Sequence, residues 1–193
     1  MKSKLCTLSL ALASLAAAHL AQAQGERPER PKPYVCVKGT LYKPDGTEMW
    51  LGSYDGCKDA VLGRNFACAG GYFFGPDKLQ DWLGSHDACS KQPLVIGHRS
   101  ACANGHYYYD SPLKKAWLGA YDGCKDAVIS RNYSCAGGYF YYGNKEIKKD
   151  WLGSHDGCKN VVIRGEYACA AGYLYKPDES KKWLGSHDAC RDF

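Results

Sequence analysis

The chain has 193 residues, including 11 cysteines, 22 glycines, 15 tyrosines and 5 tryptophans, and its net charge is +5. A mean hydropathy of -0.44 excludes a protein with many membrane spans, and an aromatic content of 13% argues against a disordered chain. The charge is too small and too dispersed to indicate a nucleic-acid-binding protein.

The N-terminus has the pattern of a secretory signal peptide over residues 1–23. Lys2 and Lys4 form a basic start, residues 5–18 are apolar, and Ala21-Gln22-Ala23 is a small-residue cleavage site. The apolar stretch is too short for a confident membrane span, and no later segment approaches that length. Residues 24–33 are rich in proline and charge and predict an extended leader. We therefore expect a secreted or periplasmic protein without a membrane span.

The cysteine count supports this compartment. Cys6 lies within the signal peptide, so ten of the cysteines remain in the mature chain. An even number of cysteines in an exported protein indicates disulfides and not catalytic thiols.

An internal repeat dominates the remaining sequence. The motif W-L-G-[SA]-[HY]-D-[GA]-C occurs five times, and each copy follows a C-x-x-G motif that continues into aromatic residues. The period is 32 to 34 residues, which indicates tandem copies of one structural unit. The units lie near residues 34–66, 67–99, 100–132, 133–166 and 167–193.

Each unit has the pattern of a β-hairpin. Its two cysteines flank a polar segment, such as KPDGTE at residues 43–48, and residues typical of strands lie on either side. Cysteines equidistant from a turn would face each other across antiparallel strands, within disulfide range. This predicts five bonds within units: Cys36–Cys57, Cys68–Cys89, Cys102–Cys124, Cys135–Cys158 and Cys169–Cys190.

A second pairing also fits the spacing. The segments between units place cysteines around polar centres too, which would pair 57 with 68, 89 with 102, 124 with 135 and 158 with 169. Cys36 and Cys190 would then close a ring, as in a propeller. We favour the first pairing, because it uses all ten cysteines without requiring the two ends to meet.

The predicted fold is therefore mostly β: five tandem disulfide-stapled β-hairpin repeats of about 33 residues in one array. A unit of this size cannot bury a sizeable core alone, so neighbouring units must pack together. The pattern leaves a solenoid-like stack and a closed ring both open.

Aromatic and polar residues recur at fixed positions that could contact a ligand. The residue after the W-L-G-[SA] tetrapeptide is always His or Tyr, which disfavours an obligatory metal ligand and fits a surface aromatic with a polar tip. These positions are Tyr54, His86, Tyr121, His155 and His187. The tryptophans are a second candidate set, although we expect them chiefly to pack: Trp50, Trp82, Trp117, Trp151 and Trp183.

Other recurring residues have a structural interpretation. An aspartate two residues before each second cysteine is expected to cap a turn or short helix. The recurring glycines are expected to permit an unusual backbone angle or close packing. The third unit departs most from the pattern, with His98, Arg99, Asn104, His106 and three consecutive tyrosines from Tyr107.

These features favour a non-catalytic binding protein. No metalloprotease, nucleophile-elbow or phosphate-loop motif occurs, and the polar candidates recur symmetrically, whereas catalysis needs groups of differing roles. We expect no metal and no cofactor. In composition the repeats resemble repeat lectins and cell-wall-binding modules, and repeated aromatic and polar surfaces suit carbohydrate or cell-envelope polysaccharide.

Two alternatives stay open. Small disulfide-rich secreted proteins commonly act on other proteins as inhibitors, toxins or host-interaction proteins. A protein partner would then contact the variable turns at 43–48, 76–81, 110–115, 143–149 and 176–181. The repeats could also be a structural component of the cell envelope.

Overall fold

The computed structural model describes residues 32–110, 113–143 and 146–193. The predicted signal peptide, and the leader up to residue 31, lie outside the described residues. The described residues form five antiparallel sheets in a mostly β fold, confirming the predicted fold class. One sheet belongs to each repeat, and we number repeats 1 to 5 by the cysteine pairs given above.

The sheets are meanders of three or four short strands. The first contains β1 (Val35–Val37), β2 (Thr40–Tyr42) and β3 (Glu48–Trp50). The second contains β4 (Val61–Leu62), β5 (Ala67–Ala69), β6 (Tyr72–Phe74) and β7 (Gln80–Trp82). The third contains β8 (Leu94–Ile96), β9 (Ser100–Ala103), β10 (His106–Asp110) and β11 (Leu113–Trp117).

The fourth and fifth sheets repeat this arrangement. The fourth contains β12 (Val128–Ile129), β13 (Tyr133–Ala136), β14 (Tyr139–Tyr142) and β15 (Lys148–Trp151). The fifth contains β16 (Val162–Arg164), β17 (Tyr167–Ala170), β18 (Tyr173–Tyr175) and β19 (Lys181–Trp183). Short helical turns follow the last strand of four repeats, at Tyr54–Cys57, Ala88–Lys91, His155–Asn160 and His187–Asp192.

The C-x-x-G motif is a two-residue hairpin turn. In repeat 2 it joins β5 to β6, and Ala69 pairs with Tyr72 on either side of the turn. Gly70 and Gly71 have φ values of 55° and 81°. Positive φ at both central residues defines the type I′ turn, whose twist matches that of the flanking strands. The first cysteine of each repeat therefore lies on the strand before this turn. The sequence predicted a single hairpin in each repeat and did not include this additional turn.

The disulfide pairing within repeats is confirmed. The bonds are Cys36–Cys57, Cys68–Cys89, Cys102–Cys124, Cys135–Cys158 and Cys169–Cys190. The alternative pairing between repeats, with ring closure through Cys36 and Cys190, is wrong.

The expected geometry of these bonds is also wrong, because the cysteines do not face each other across a strand pair. Cys68 lies on β5 opposite Phe73, whereas its partner Cys89 lies in the helical turn after β7. Each disulfide thus links the strand that precedes the type I′ turn to the segment that follows the last strand of the same sheet.

The sheets stack face to face in chain order. Four core clusters each combine side chains of two successive repeats, and the third sheet, for example, contributes Ala101 and Ala103 to a cluster with Phe73 and Leu83 of the second. The strands β5, β9 and β13 are buried at every residue, because both of their faces are covered. Small alanines allow the sheets to approach. The four clusters join repeats 1 and 2, 2 and 3, 3 and 4, and 4 and 5, and none of them joins repeat 5 to repeat 1 within the described residues.

Large side chains pair across each junction between repeats. Phe73 lies 4.5 Å from Tyr108 between ring centroids, Tyr107 lies 3.9 Å from Tyr141, and Phe140 lies 4.3 Å from Tyr175. In the second, third and fourth sheets, one residue of the central strand points to the following repeat and the next residue points to the preceding one. This alternation is the period of two expected of a strand with two buried faces.

Two of the junctions also contain a polar link. Asp81 of repeat 2 accepts hydrogen bonds from Tyr108 Oη at 2.8 Å and from Lys115 Nζ at 2.7 Å. Asp150 of repeat 4 accepts the same pair of bonds from Tyr175 and Lys181. Burial works to raise the pKa of Asp81, but the bonds from Lys115 and Tyr108 hold that pKa below its ordinary value. The carboxylate therefore stays ionised and satisfied inside the junction.

We expect the free energy of unfolding to fall at alkaline pH while the disulfides are still intact. Burial raises the pKa of Tyr34 from 10.0 to about 12, and burial also raises the pKa values of Tyr107, Tyr108, Tyr141 and Tyr175. Since the folded state favours the neutral phenol, this contribution is complete below pH 10 and is lost as the pH rises towards the folded-state pKa. The free energy of unfolding in urea, measured after brief exposure, should fall steadily from pH 10 to 12. A constant free energy across that range would contradict the burial of these phenols.

No helix among the described residues is long and apolar enough to cross a membrane.

Candidate functional site

The two candidate sets from the sequence meet on the surface of every repeat. Each tryptophan lies edge to face against the His or Tyr four residues later, with ring centroids 5.1 to 5.3 Å apart. The pairs are Trp50–Tyr54, Trp82–His86, Trp117–Tyr121, Trp151–His155 and Trp183–His187. We call each of them a surface aromatic pair.

The tryptophans are more exposed than we expected. Their exposed fractions run from 42% for Trp183 to 51% for Trp50, and the paired Tyr54 is 77% exposed. In the first three repeats the leucine that follows the tryptophan is buried, with Leu51, Leu83 and Leu118 at most 4% exposed, whereas Leu152 and Leu184 are half-buried. In those three repeats the leucine of the W-L dipeptide therefore packs inside the protein, while about half of the tryptophan side chain is exposed. Packing explains the leucine, but it explains only part of the tryptophan surface.

The glycine of the type I′ turn explains the placement of each ring. A Cβ built on Gly71 would lie 2.1 Å from Ser85 O and 2.7 Å from the Trp82 ring. The same close approach occurs at Gly39, Gly105, Gly138 and Gly172. One face of the tryptophan thus rests on a turn that only glycine permits, and the remainder of the ring meets solvent.

The histidines of the pairs are held in one orientation. His86 Nδ1 lies 3.2 Å from Gly70 O, His155 Nδ1 lies 3.2 Å from Gly137 O, and His187 Nδ1 lies 3.2 Å from Ala171 O. A carbonyl oxygen only accepts, so Nδ1 must carry the proton in each case. In the neutral ring Nε2 is then an acceptor, and on an exposed side chain it can accept a hydrogen bond from a ligand hydroxyl.

A third aromatic residue extends most of the pairs, and the sequence reasoning missed it. It lies directly across the strand pair from the tryptophan, with centroids 4.7 to 4.8 Å apart. These residues are Tyr72, His106, Tyr139 and Tyr173. In repeat 1 the partner of Trp50 is Thr40, so its surface carries two aromatic rings. The sequence shows an aromatic residue directly after most C-x-x-G motifs. Its position opposite the tryptophan could be predicted only by first identifying the type I′ turn.

The recurring aspartates do not act as side-chain caps. Ser53 and Ser154 hold the N-cap positions of their helical turns, and Asp87 holds the corresponding position without a side-chain cap bond. Asp87 instead accepts a hydrogen bond from Ser85 Oγ at 2.7 Å and forms an ion pair with Lys91. Asp156 contacts Lys159 at 3.1 Å in the same way. The carboxylates of Asp87 and Asp156 thus form local surface contacts and do not cap the turns.

The unusual residues of repeat 3 take part in contacts between repeats. Asp110 accepts from Arg99 Nε at 3.3 Å and from Asn65 Nδ2 of the preceding segment at 2.7 Å. His98 contacts Arg64 at 3.5 Å. Burial lowers the pKa of His106, despite a hydrogen bond to Asn104 O. The contacts of Asn65 with Asp110 and of Arg64 with His98 link repeats 2 and 3.

Within the described ranges, no group of three or more His, Cys, Asp or Glu residues has the arrangement of a metal site. The five disulfides fit an oxidising compartment. No family model, no curated protein and no solved structure matches the chain.

Proposed function

We propose that this protein is a secreted, non-catalytic carbohydrate-binding protein whose ligand is a polysaccharide. The observation that carries the proposal is the surface aromatic pair, present in all five repeats with its tryptophan half exposed. A half-exposed indole offers a flat apolar surface on which the C–H face of a sugar ring can stack. The adjacent histidine or tyrosine supplies a polar atom at the rim, as sugar hydroxyls require.

Repetition suits a polymer. Sheets packed face to face lie about 10 Å apart, so equivalent pairs recur at about that interval along the stack. Each contact with a sugar can be weak, because several contacts on one chain raise the overall affinity through effective concentration. The rigid, disulfide-tied scaffold also holds the rings in place before binding, which reduces the entropy lost on association.

A binding panel with a double variant tests this proposal. The wild-type protein should be retained on at least one insoluble polysaccharide among cellulose, chitin and xylan. Replacing Trp82 and Trp151 by alanine should lower retention at least about tenfold, which corresponds to about 1.4 kcal/mol. The control replaces Tyr42 and Val61, two exposed residues that belong to no surface aromatic pair, by alanine and should bind as the wild type does.

Melting curves of both variants show whether the fold is kept. Absence of wild-type retention on all three polymers, under conditions where the protein is folded, would overturn the proposal. Retention that is unchanged in a folded double variant would overturn the role given to the tryptophans.

A further inference from the structure

Grooves between repeats combine the surface aromatic pairs of neighbours. One groove, of about 500 Å³, is lined by Trp82 and Gly84 of repeat 2 together with Asn104 and Tyr121 of repeat 3. A second, of about 320 Å³, is lined by the equivalent residues of the last two repeats, which are Trp151, Gly153, Ala171 and His187. The same four positions of the repeat thus build both grooves, two from each side of a junction.

The junction between repeats 3 and 4 brings the same positions together. A Cβ built on Gly119, which follows Trp117 and Leu118, would lie 3.4 Å from Cε1 of His155. The histidine of one repeat therefore reaches the W-L-G segment of the preceding repeat. At two junctions the tryptophan of one repeat and the His or Tyr of the next line one groove, and at the third the histidine lies against the glycine two residues after the tryptophan.

Building on the proposed function, we infer that each sugar-binding subsite lies at a junction between two repeats, and that the ligand is an uncharged β-linked glycan chain lying along the stack. The tryptophan of one repeat supplies the stacking face, and the His or Tyr of the next repeat supplies the polar contact. A single repeat then holds only half of each of two subsites.

The polar atoms of the grooves match sugar hydroxyls. His187 Nδ1 is bonded to Ala171 O, which leaves Nε2 to accept from the groove. In the other groove, Gln92 donates its Nε2 to Leu83 O at 2.9 Å. Its Oε1 is buried and has no hydrogen-bond partner among the described residues. An unpaired buried acceptor is costly, and a donor that reaches the groove floor, such as a hydroxyl, would satisfy it.

The charges of the grooves disfavour an acidic ligand, and the first groove is also lined by the carboxylate of Asp122. Lys91, which lines the first groove, is ion-paired with Asp87. Lys181, which lines the second, is 2.7 Å from Asp150. Both ammonium groups are already neutralised by carboxylates of the chain, so neither groove offers the uncompensated cation that an acidic polysaccharide requires. Flat rings in an extended β-linked chain can meet successive tryptophans about 10 Å apart.

This arrangement predicts that the two ends of the stack differ from its middle. Trp183 belongs to repeat 5, and the described residues place no His or Tyr of a further repeat beside it. Tyr54 belongs to repeat 1, and the described residues contain no tryptophan of a preceding repeat. Trp151 and His187, in contrast, line one groove together. If each repeat instead carried a complete site, substitutions at these four residues would weaken binding by similar amounts.

Four single alanine variants distinguish the two arrangements. Calorimetric titration with cellohexaose and with chitohexaose measures affinity, and sodium polygalacturonate is the charged control ligand. We expect Trp151→Ala and His187→Ala each to weaken binding of one neutral hexasaccharide about tenfold, which corresponds to about 1.4 kcal/mol. Trp183→Ala and Tyr54→Ala should change it less than about twofold. Trp183 rests on its turn glycine as Trp151 does, so it is a matched control for structural damage.

Each outcome decides a separate point. Equal losses in Trp151→Ala and Trp183→Ala would overturn the junction subsite while leaving the proposed function standing. Binding of polygalacturonate without binding of either neutral sugar would overturn the ligand class. If wild-type protein binds none of the three, the proposed function itself fails. Should Trp151→Ala not fold, the comparison of His187→Ala with Tyr54→Ala carries the same test, because both residues are exposed.

Discussion

Replacing Gly71 by alanine should destabilise the protein far more than replacing Gly84. Gly71 has φ +81°, and a Cβ there would lie 2.1 Å from Ser85 O and 2.7 Å from the Trp82 ring. Gly84 has φ +96°, but a Cβ there would meet nothing within 4 Å. Gly84→Ala should therefore cost only backbone strain, about 1 kcal/mol, whereas Gly71→Ala should cost at least about 3 kcal/mol because the backbone of the motif must also move.

Urea unfolding followed by circular dichroism measures this difference. The two variants introduce the same methyl group into the same repeat, so the unfolded-state entropy changes alike and cancels in the comparison. Equal losses for the two variants would show that the W-L-G-S segment does not press against the turn. Displacement of Trp82 in Gly71→Ala should also shift the tryptophan fluorescence spectrum, which Gly84→Ala leaves unchanged.

Removing the central disulfide should have the second large effect. Cys102 and Cys124 are both at most 1% exposed, and their bond closes a loop with a sequence separation of 22. Replacing both by alanine should cost roughly 3 kcal/mol in the chain-entropy model. Repeat 3 has a neighbour on each side, so its loosening also removes support from repeats 2 and 4.

The matched control is the double alanine variant of Cys36 and Cys57. That bond has nearly the same sequence separation, 21, but both cysteines are only partly buried and repeat 1 has a single neighbour in the stack. We expect its loss to lower the denaturation midpoint less, and to leave the remaining repeats protected from hydrogen exchange. An equal or larger effect for the end variant would contradict a stack in which each repeat supports the next.

The cysteine pairing was predictable from the sequence, whereas its geometry was not. Equal spacing about a polar turn correctly joined Cys68 to Cys89. The same reasoning placed the two cysteines on facing strands, because it read the residues from Cys68 to Phe74 as one strand. The turn at Gly70 and Gly71 divides them, so Cys68 pairs with Phe73. Two consecutive glycines before an aromatic run were the available signal for a type I′ turn.

The candidate site was only partly accessible to sequence reasoning. The alternation of His and Tyr at one position identified Tyr54 and His86 as surface aromatics, and both are exposed. Contact between Trp82 and His86 follows from a local turn. The meeting of Trp82 with Tyr121 depends on the stacking of separate sheets. No pattern within one repeat specifies how neighbouring sheets stack. The stacking is set by the packing of strands rich in alanine against large side chains of the neighbouring repeat.

We propose that the exposed tryptophan rings form the binding surface. Five indole N–H signals in a ¹⁵N-correlated NMR spectrum, assigned by single substitutions, report each ring separately. On titration with whichever neutral hexasaccharide binds, we predict large shifts for Trp82, Trp117 and Trp151 and a smaller shift for Trp183. Binding that leaves all five indole signals in place, while backbone signals elsewhere move, would show that the tryptophan rings do not form the binding surface.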